Sequence, residues 1–233
     1  MSEGSSALSF SILAFHAIER VMVPQFMLIA PPIDDPAPYL ARFAALAETG
    51  ALAVALLNVT ADSDASLKRK LDMLAQPLQA AGIACLIAPP SDPRLVARLS
   101  LDGVQVSAAD DLGAWVEALK PNRILGVGGL KSRHEAMEAG EKDIDYVMFG
   151  EPRPDGYLPP LSQTIERAQW WAEIFNVPCI AYASDLDAVA PLAATGAEFI
   201  AIGPWLFDAK DPADMLAEAR RIAKSSVMER AVS

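Results

Sequence analysis

Short apolar runs alternate with longer amphipathic segments along the chain from Phe26 onward. Each run holds four to six residues and is apolar almost throughout, which is typical of strands that are buried on both faces. The pattern therefore predicts parallel strands covered by helices. The eight predicted strands span residues 26–30, 52–57, 83–88, 103–106, 124–127, 146–150, 178–183 and 199–203.

Each predicted strand is followed by a segment with helical composition. Glycine comes directly after several of these segments and just before the next strand, where it ends a helix. Asp211 followed by Pro212 predicts the start of the last helix, because aspartate caps helices and proline suits their first position. The eight predicted helices span residues 38–49, 65–81, 93–99, 111–120, 131–139, 162–176, 186–195 and 211–224.

Eight strands that alternate with eight helices predict a (β/α)8 TIM barrel, and the 233 residues come close to the roughly 250 residues typical of that fold. The alternative is a doubly wound open sheet, but that fold usually has fewer strands, and no GxGxxG follows the first strand. We predict a single α/β domain over residues 26–224. Residues 1–25 are interpreted as an N-terminal arm, or as an amphipathic piece that covers a barrel end or the partner subunit of a homo-oligomer. Residues 225–233 are interpreted as a C-terminal tail.

Composition and charge narrow the classes of partner. Hydrophobic residues make up 52% of the chain, which is enough for a large core. The net charge of −11 argues against nucleic acid and anionic membranes as partners, because both need basic patches. An anionic substrate remains compatible, since a few local cations or helix N-termini can hold a phosphate. Cys85 and Cys179 lie in apolar strand runs and are predicted to be buried free thiols in a cytoplasmic protein.

In a TIM barrel the functional site lies at the C-terminal ends of the strands. Residues 124–152 are the most informative segment, since their strand, glycine turn, helix and strand form a βαβ unit. Glycines at the ends of its strands allow a ligand to approach the backbone closely. The predicted ligand-binding residues are those that follow strands two, five, seven and eight, namely Asn58, Gly128, Gly129, Lys131, Ser184 and Gly203.

Three stretches resemble the thiamine phosphate synthase and thiazole tautomerase superfamily. They are DGVQVSAADD at 102–111, the set LGVGG, KSRHEAMEAG and DYVMFG within 125–150, and GAEFIAIGPWLF at 196–207. They occur in the family's order and spacing, and the resemblance covers most of the predicted barrel. It implies a TIM barrel of thiamine metabolism that binds a phosphorylated thiazole or pyrimidine at the mouth of the barrel.

The chain departs from the family at residues that bind pyrophosphate and metal. The family has Gln-x-Arg-x-Lys after strand two and Asn-Asp after strand three, whereas this chain has LLNVT at 56–60 and Ala-Pro at 88–89. Asp110 matches the second of two Mg²⁺-binding carboxylates in the family, although it also precedes a helix that it is expected to cap. Mg²⁺ is therefore only weakly supported as a cofactor, because a single carboxylate seldom holds it unless substrate phosphates supply other ligands.

These departures define three hypotheses of function. The first is a divergent synthase-like transferase with weak or absent synthase activity, because displacement of pyrophosphate depends on cations placed at the developing charge. The second is a non-catalytic or regulatory barrel that binds a phosphorylated ligand.

The third hypothesis is a tautomerase-like acid–base enzyme in which Glu151 is the catalytic residue. In the tautomerase branch of the family a histidine follows the Phe-Gly of strand six, and Glu151 occupies that position here. A carboxylate can do the same acid–base work if burial raises its pKa toward neutrality. The alternative for Glu151 is a solvated loop glutamate paired with Arg153.

Overall fold

A closed barrel of parallel strands forms the centre of the molecule. The computed structural model describes residues 22–90, 93–153 and 155–232. Within these ranges the strands pair in sequence order, and the last strand pairs with the first. They are β1 (Gln25–Ile29), β2 (Leu52–Leu57), β3 (Ala84–Ile87), β4 (Gly103–Ser107), β5 (Ile124–Gly128), β6 (Tyr146–Phe149), β7 (Cys179–Ala183) and β8 (Phe199–Ile202).

Helices follow the strands and surround the barrel. In the described part of the chain the α-helices are α1 (Leu40–Glu48), α2 (Asp64–Ala80), α3 (Arg94–Arg98), α4 (Leu112–Leu119), α5 (Arg133–Gly140), α6 (Leu161–Ile174), α7 (Val189–Ala193) and α8 (Pro212–Val232). Short 3-10 helices precede α1 at Ala37–Tyr39 and follow β8 at Pro204–Asp208. The predicted single-domain TIM barrel is therefore confirmed, and each strand begins and ends within one residue of its predicted bounds.

The two ends of the chain differ in how far the structure tests the predictions. Residues 1–21 of the predicted N-terminal arm lie outside the described residues, and Gln25 already belongs to β1. At the other end, α8 continues to Val232 through the segment predicted to be a tail. No glycine or proline interrupts this segment, and the Ser226 hydroxyl donates a 2.8 Å hydrogen bond to the Ala190 carbonyl of α7.

The core has two layers, because successive strand residues point to opposite faces of the sheet. The larger layer lies between the barrel and the helices. The smaller layer fills the barrel and contains Met27, Leu86, Tyr146, Met148, Ile180, Tyr182 and Ala201. Gly126 makes room for the ring of Tyr146, since a Cβ on this glycine would lie 1.9 Å from the Tyr146 Cζ.

Carboxylates join neighbouring strands at the N-terminal end of the barrel. Three strand pairs share this arrangement: β3 with β4, β5 with β6, and β7 with β8. In each pair, the acidic residue just before the later strand accepts a hydrogen bond from a backbone N–H at the start of the earlier strand. The bonds run from Cys85 to Asp102 at 2.8 Å, from Leu125 to Asp145 at 2.7 Å and from Cys179 to Glu198 at 2.9 Å. We call these the carboxylate clamps. They satisfy N–H groups that would otherwise be left unpaired where each pair of strands begins.

Both cysteines are buried free thiols, as predicted. Cys85 faces α2, where its sulfur lies 3.8 Å from the Ala75 carbonyl oxygen, and Cys179 faces α6, 3.9 Å from the Ala168 carbonyl oxygen. Across the described residues, every helix is too short or too polar to span a lipid bilayer.

Candidate functional site at the barrel mouth

A cleft of about 350 Å³ lies at the C-terminal ends of β4, β5 and β6. It is the part of the mouth where the loops after these three strands converge. Its lining residues are Ser107, Ala108, Ala109, Gly129, Lys131, Glu135, Arg153 and Asp155. Two of the predicted ligand-binding residues, Gly129 and Lys131, are therefore brought together in one cleft.

The loop between β5 and α5 is fixed by side chains that bond to its backbone. Arg167 of α6 donates to the carbonyl oxygens of Leu130 at 3.0 Å and Lys131 at 2.7 Å. Glu135 accepts from the N–H groups of Lys131 at 2.5 Å and Ser132 at 3.2 Å, as part of the capping box of α5. The Lys131 side chain therefore projects into the cleft from a fixed backbone.

Two cations, Lys131 and Arg153, border the cleft. Neither Lys131 nor Arg153 forms an ion pair with any residue that the structure describes. The Arg153 guanidinium lies over the ring of Tyr157, 4.7 Å from its centroid, and is held there by a cation–π contact. In a chain with a net charge of −11, these two side chains bring two positive charges to a cleft whose lining also contains the carboxylates of Glu135 and Asp155.

Glu151 lies below this cleft, with its carboxylate directed at β5. Its Oε1 accepts a 2.5 Å hydrogen bond from the Gly129 N–H, and the side chain is half-buried. Burial raises the pKa of the Glu151 carboxyl, while the Gly129 N–H and the charges of Arg153 and Arg167 act in the opposite direction. The alternative of a solvated glutamate paired with Arg153 is wrong, because the carboxylate bonds to backbone instead. A raised pKa moves the carboxyl toward the range in which a carboxylate can exchange protons near neutral pH.

Gln105 and Tyr146 join Glu151 below the cleft, and neither was predicted as a site residue. Tyr146 donates a 2.9 Å hydrogen bond to the Gln105 side-chain oxygen inside the barrel. Gln105 could have been found, because it is the single amide or charged side chain in the eight predicted strand runs. Its alternation with Gly103 and Ser107 places it on the inner face.

Three of the predicted ligand-binding residues, Asn58, Ser184 and Gly203, follow β2, β7 and β8. Asn58 is exposed after β2, and the Ser184 hydroxyl after β7 bonds to the Asp185 carboxylate at 3.1 Å. Gly203 precedes the 3-10 helix after β8 and lies against the hydroxyl of Tyr182. These residues do not line the cleft between β4 and β6. Gly128 lies below it, between Gln105 and Glu151.

A further cation near the end of β2 was not predicted. Lys70 of α2 reaches over the loop and donates to the Thr60 carbonyl at 2.9 Å and to the Asp34 carboxylate at 3.0 Å. The hydrogen bond from Lys70 holds the pKa of Asp34 below its usual value. Lys70 is therefore already paired with Asp34.

Asp110 was predicted as a metal ligand or a helix cap. Its Oδ2 accepts a 2.7 Å hydrogen bond from the Ser107 N–H and so holds the turn after β4. The cap of α4 is Asp111, whose Oδ1 accepts from the Ala114 N–H at 3.1 Å. Among the residues that the structure describes, no three His, Cys, Asp or Glu side chains are placed to hold a metal ion. The residues present therefore do not fit Mg²⁺ without oxygen ligands from a substrate.

Comparison with known proteins identifies the family. A sequence model of the thiamine monophosphate synthase family matches residues 26–204. The chain belongs to the thiamine monophosphate synthase family. The match covers all eight strands of the barrel and the loops that form the cleft.

Two relatives illustrate the similarity within this family. The chain is 34% identical over 204 residues to the thiamine-phosphate synthase of Rhodospirillum centenum, an alignment that covers 84% of this chain and 96% of the relative. It is 35% identical over 163 residues to the thiamine-phosphate synthase of Erythrobacter litoralis, which covers 64% of this chain and 74% of that relative.

Solved structures show the same fold. A thiamine phosphate pyrophosphorylase from Pyrococcus furiosus superposes with a TM-score of 0.71 at 20% identity, over 88% of this chain and 98% of that chain. A 3-hexulose-6-phosphate synthase superposes with a TM-score of 0.67 at 16% identity, over 85% of this chain and 99% of that chain. At these identities the likeness concerns the barrel and not the reaction.

Proposed function

We propose that this member of the thiamine monophosphate synthase family binds a phosphorylated thiazole or pyrimidine at the mouth of the barrel. The observation that carries the proposal is the pair of cations, Lys131 and Arg153, that line one cleft and form no ion pair with the described residues. The ligand's phosphate lies between them, and the backbone of Gly129 allows it to approach closely. The heterocycle then extends toward the centre of the mouth.

We further propose that the protein has diverged from a complete synthase. A synthase must stabilise a departing pyrophosphate, and residues 56–60 and 88–89 carry neither the cations nor the carboxylate that the family uses there. Lys70, which reaches the loop after β2, is already paired with Asp34. One oxygen of the Asp110 carboxylate accepts a hydrogen bond from the Ser107 N–H.

Binding is tested first with the separated substrate types. Thermal shift and calorimetry with the thiazole phosphate and the hydroxymethylpyrimidine pyrophosphate should show specific stabilisation by at least one of them. Lys131→Ala and Arg153→Ala should each weaken binding about five- to tenfold, because each removes a charge-assisted contact to phosphate. Lys142→Ala is the matched control, since Lys142 lies in the neighbouring cleft between α4 and α5. Equal effects of Lys142→Ala and Lys131→Ala would place the ligand elsewhere.

Activity is tested by mixing both substrates with the protein and Mg²⁺ and measuring thiamine phosphate. We expect a rate well below that of the Rhodospirillum centenum relative assayed in parallel. Turnover comparable to that relative would overturn the proposed divergence while leaving the binding proposal intact. Ligand binding without turnover would favour the non-catalytic or regulatory barrel.

A second candidate function is acid–base catalysis by Glu151. The observation that favours it is a half-buried carboxyl whose pKa is raised by burial and which lies directly below the cationic cleft. Glu151→Gln should abolish proton exchange on a thiazole carboxylate and leave phosphate binding by Lys131 and Arg153 unchanged. An unchanged exchange rate in Glu151→Gln would eliminate this function.

A further inference from the structure

Three polar groups, Tyr146, Gln105 and Glu151, lie close together between the inside of the barrel and the floor of the site. The Tyr146 ring is confined inside the barrel, because it occupies the space that a Cβ on Gly126 would take. Its hydroxyl donates to the Gln105 Oε1 at 2.9 Å. Burial, with the nearby carboxylates of Glu151 and Asp145, raises the pKa of Tyr146, so the hydroxyl keeps its proton and remains a donor.

This hydrogen bond fixes which way the Gln105 amide points. Since Oε1 is bound to Tyr146, the Nε2 group must lie on the other side of the amide, where it is 3.7 Å from the sulfur of Met148. A thioether is only a weak acceptor. The second N–H of Nε2 therefore faces the region next to Gly128.

Gly128 is the place where the Gln105 amide and the Glu151 carboxylate meet. A Cβ on Gly128 would lie 2.6 Å from the Glu151 Oε1 and 3.1 Å from the Gln105 Nε2. The absence of a side chain there leaves room for both groups. The positive end of the amide thus lies beside the carboxylate, although the two groups are not directly hydrogen-bonded.

We propose that Tyr146 and Gln105 are positioning residues for Glu151, with Tyr146 orienting the Gln105 amide so that its Nε2 and not its oxygen faces the Glu151 carboxylate beside Gly128. This proposal rests on the second candidate function in one respect: the positioning role affects catalysis only if Glu151 is the acid–base residue. The assembly itself belongs to the protein without a ligand. Other groups that act on Glu151 are Arg153 in its own loop and Arg167 from α6.

The test measures the protonation of Glu151 directly, by NMR of the ligand-free protein with ¹³C-labelled glutamate carboxyl groups. The resonance that disappears in Glu151→Gln assigns the signal. In Gln105→Met, which keeps the length of the side chain and removes its amide, we expect the titration midpoint of Glu151 to rise by about half a pH unit or more. Tyr146→Phe should shift it in the same direction by a smaller amount, because the freed amide can rotate and present its oxygen.

Two control variants remove the same chemical groups elsewhere in the barrel. Tyr182→Phe removes a hydroxyl inside the barrel that lies against Gly203, and Gln79→Met removes an amide that bonds to Asp102. Both should leave the Glu151 midpoint unchanged. Shifts as large in these controls as in Gln105→Met would overturn the proposal, as would a midpoint in Gln105→Met that stays at the wild-type value or falls.

The variants separate this proposal from the proposed function. If Tyr146→Phe does not fold, Gln105→Met alone decides, because it leaves the ring of Tyr146 in place. A failure of thiazole or pyrimidine phosphates to bind would remove the proposed function and would not change the titration of Glu151. An unchanged titration in Gln105→Met would remove the positioning role and leave ligand binding untouched.

Discussion

The Gly129 N–H donates a hydrogen bond to the Glu151 carboxylate across the ends of β5 and β6, at a distance of 2.5 Å. The bond compensates only part of the cost of burying a charged carboxylate, because the pKa of Glu151 remains raised by burial. A group with a raised folded-state pKa contributes stability that is fully present below its unfolded pKa and is lost as pH rises through the folded pKa.

We therefore expect Glu151→Gln to be more stable than the wild type at pH 8, with a difference that narrows as the pH falls toward 4. The glutamine oxygen can still accept from Gly129, and it carries no charge to desolvate. Urea unfolding at several pH values measures the difference. Glu117→Gln, at an exposed position of α4, is the control. A variant at residue 151 that is less stable than the wild type at pH 8 would show that Arg153 and Arg167 outweigh burial.

Gly126 is predicted to tolerate no side chain without a loss of stability. A Cβ there would lie 1.9 Å from a ring carbon of Tyr146, and the ring is enclosed by other core residues. Gly126→Ala should lower the free energy of unfolding by about 1–3 kcal/mol or prevent folding. Gly113→Ala in α4 is the comparison, since its Cβ would meet only the Asp111 carboxylate at 3.4 Å. That change should be neutral or stabilising, because alanine favours a helix more than glycine does.

Removal of one carboxylate clamp is predicted to weaken the barrel. Asp145→Ala leaves the Leu125 N–H without its acceptor and Lys120 without its partner. We expect a loss of about 1–3 kcal/mol in urea unfolding, the usual cost of an unsatisfied buried donor. Asp143→Ala, two residues earlier and exposed, should change the stability far less. Equal losses in the two variants would contradict a structural role for the clamp.

Both thiols are predicted to be unreactive in the folded protein. Burial raises the pKa of Cys85 to about 12, and it also raises the pKa of Cys179. Only the thiolate reacts with a disulfide reagent, so native protein at pH 8 should release essentially no thionitrobenzoate from Ellman's reagent. The same sample in denaturant should react at both cysteines. Fast reaction of the native protein would mean that β3 or β7 opens readily.

The fold was predictable because its signal is repeated. A strand buried on both faces must be apolar almost throughout. Eight such apolar runs occur along the chain, and glycines or other turn residues lie between the runs and the helical segments. The predicted end of the last helix at residue 224 is wrong, because α8 continues to Val232. The sequence has no glycine or proline near residue 224 that would end the helix. A helix that ends without glycine or proline leaves little trace in the sequence.

The site was harder to predict, because it depends on which side chains meet in space. The positions after the strands predicted Gly129 and Lys131 as ligand-binding residues, and these two line one cleft. The same reasoning predicted Asn58 and Ser184 equally strongly, although they do not line that cleft. No local pattern states that the Glu151 carboxylate turns inward to a backbone N–H twenty-two residues earlier. The assembly of Tyr146 with Gln105 likewise depends on the pairing of strands.

The carboxylate clamps lie at the end of the barrel opposite to the cleft, and no residue belongs to both. Substitutions at the mouth can therefore accumulate without loosening the closure of the strands. A barrel with this architecture can lose the catalytic groups for one reaction and keep a stable mouth. Other side chains at that mouth can then support a different reaction. A carboxylate at Glu151, where the resemblance to the tautomerase branch implies an imidazole, is the kind of change that such a division of roles permits.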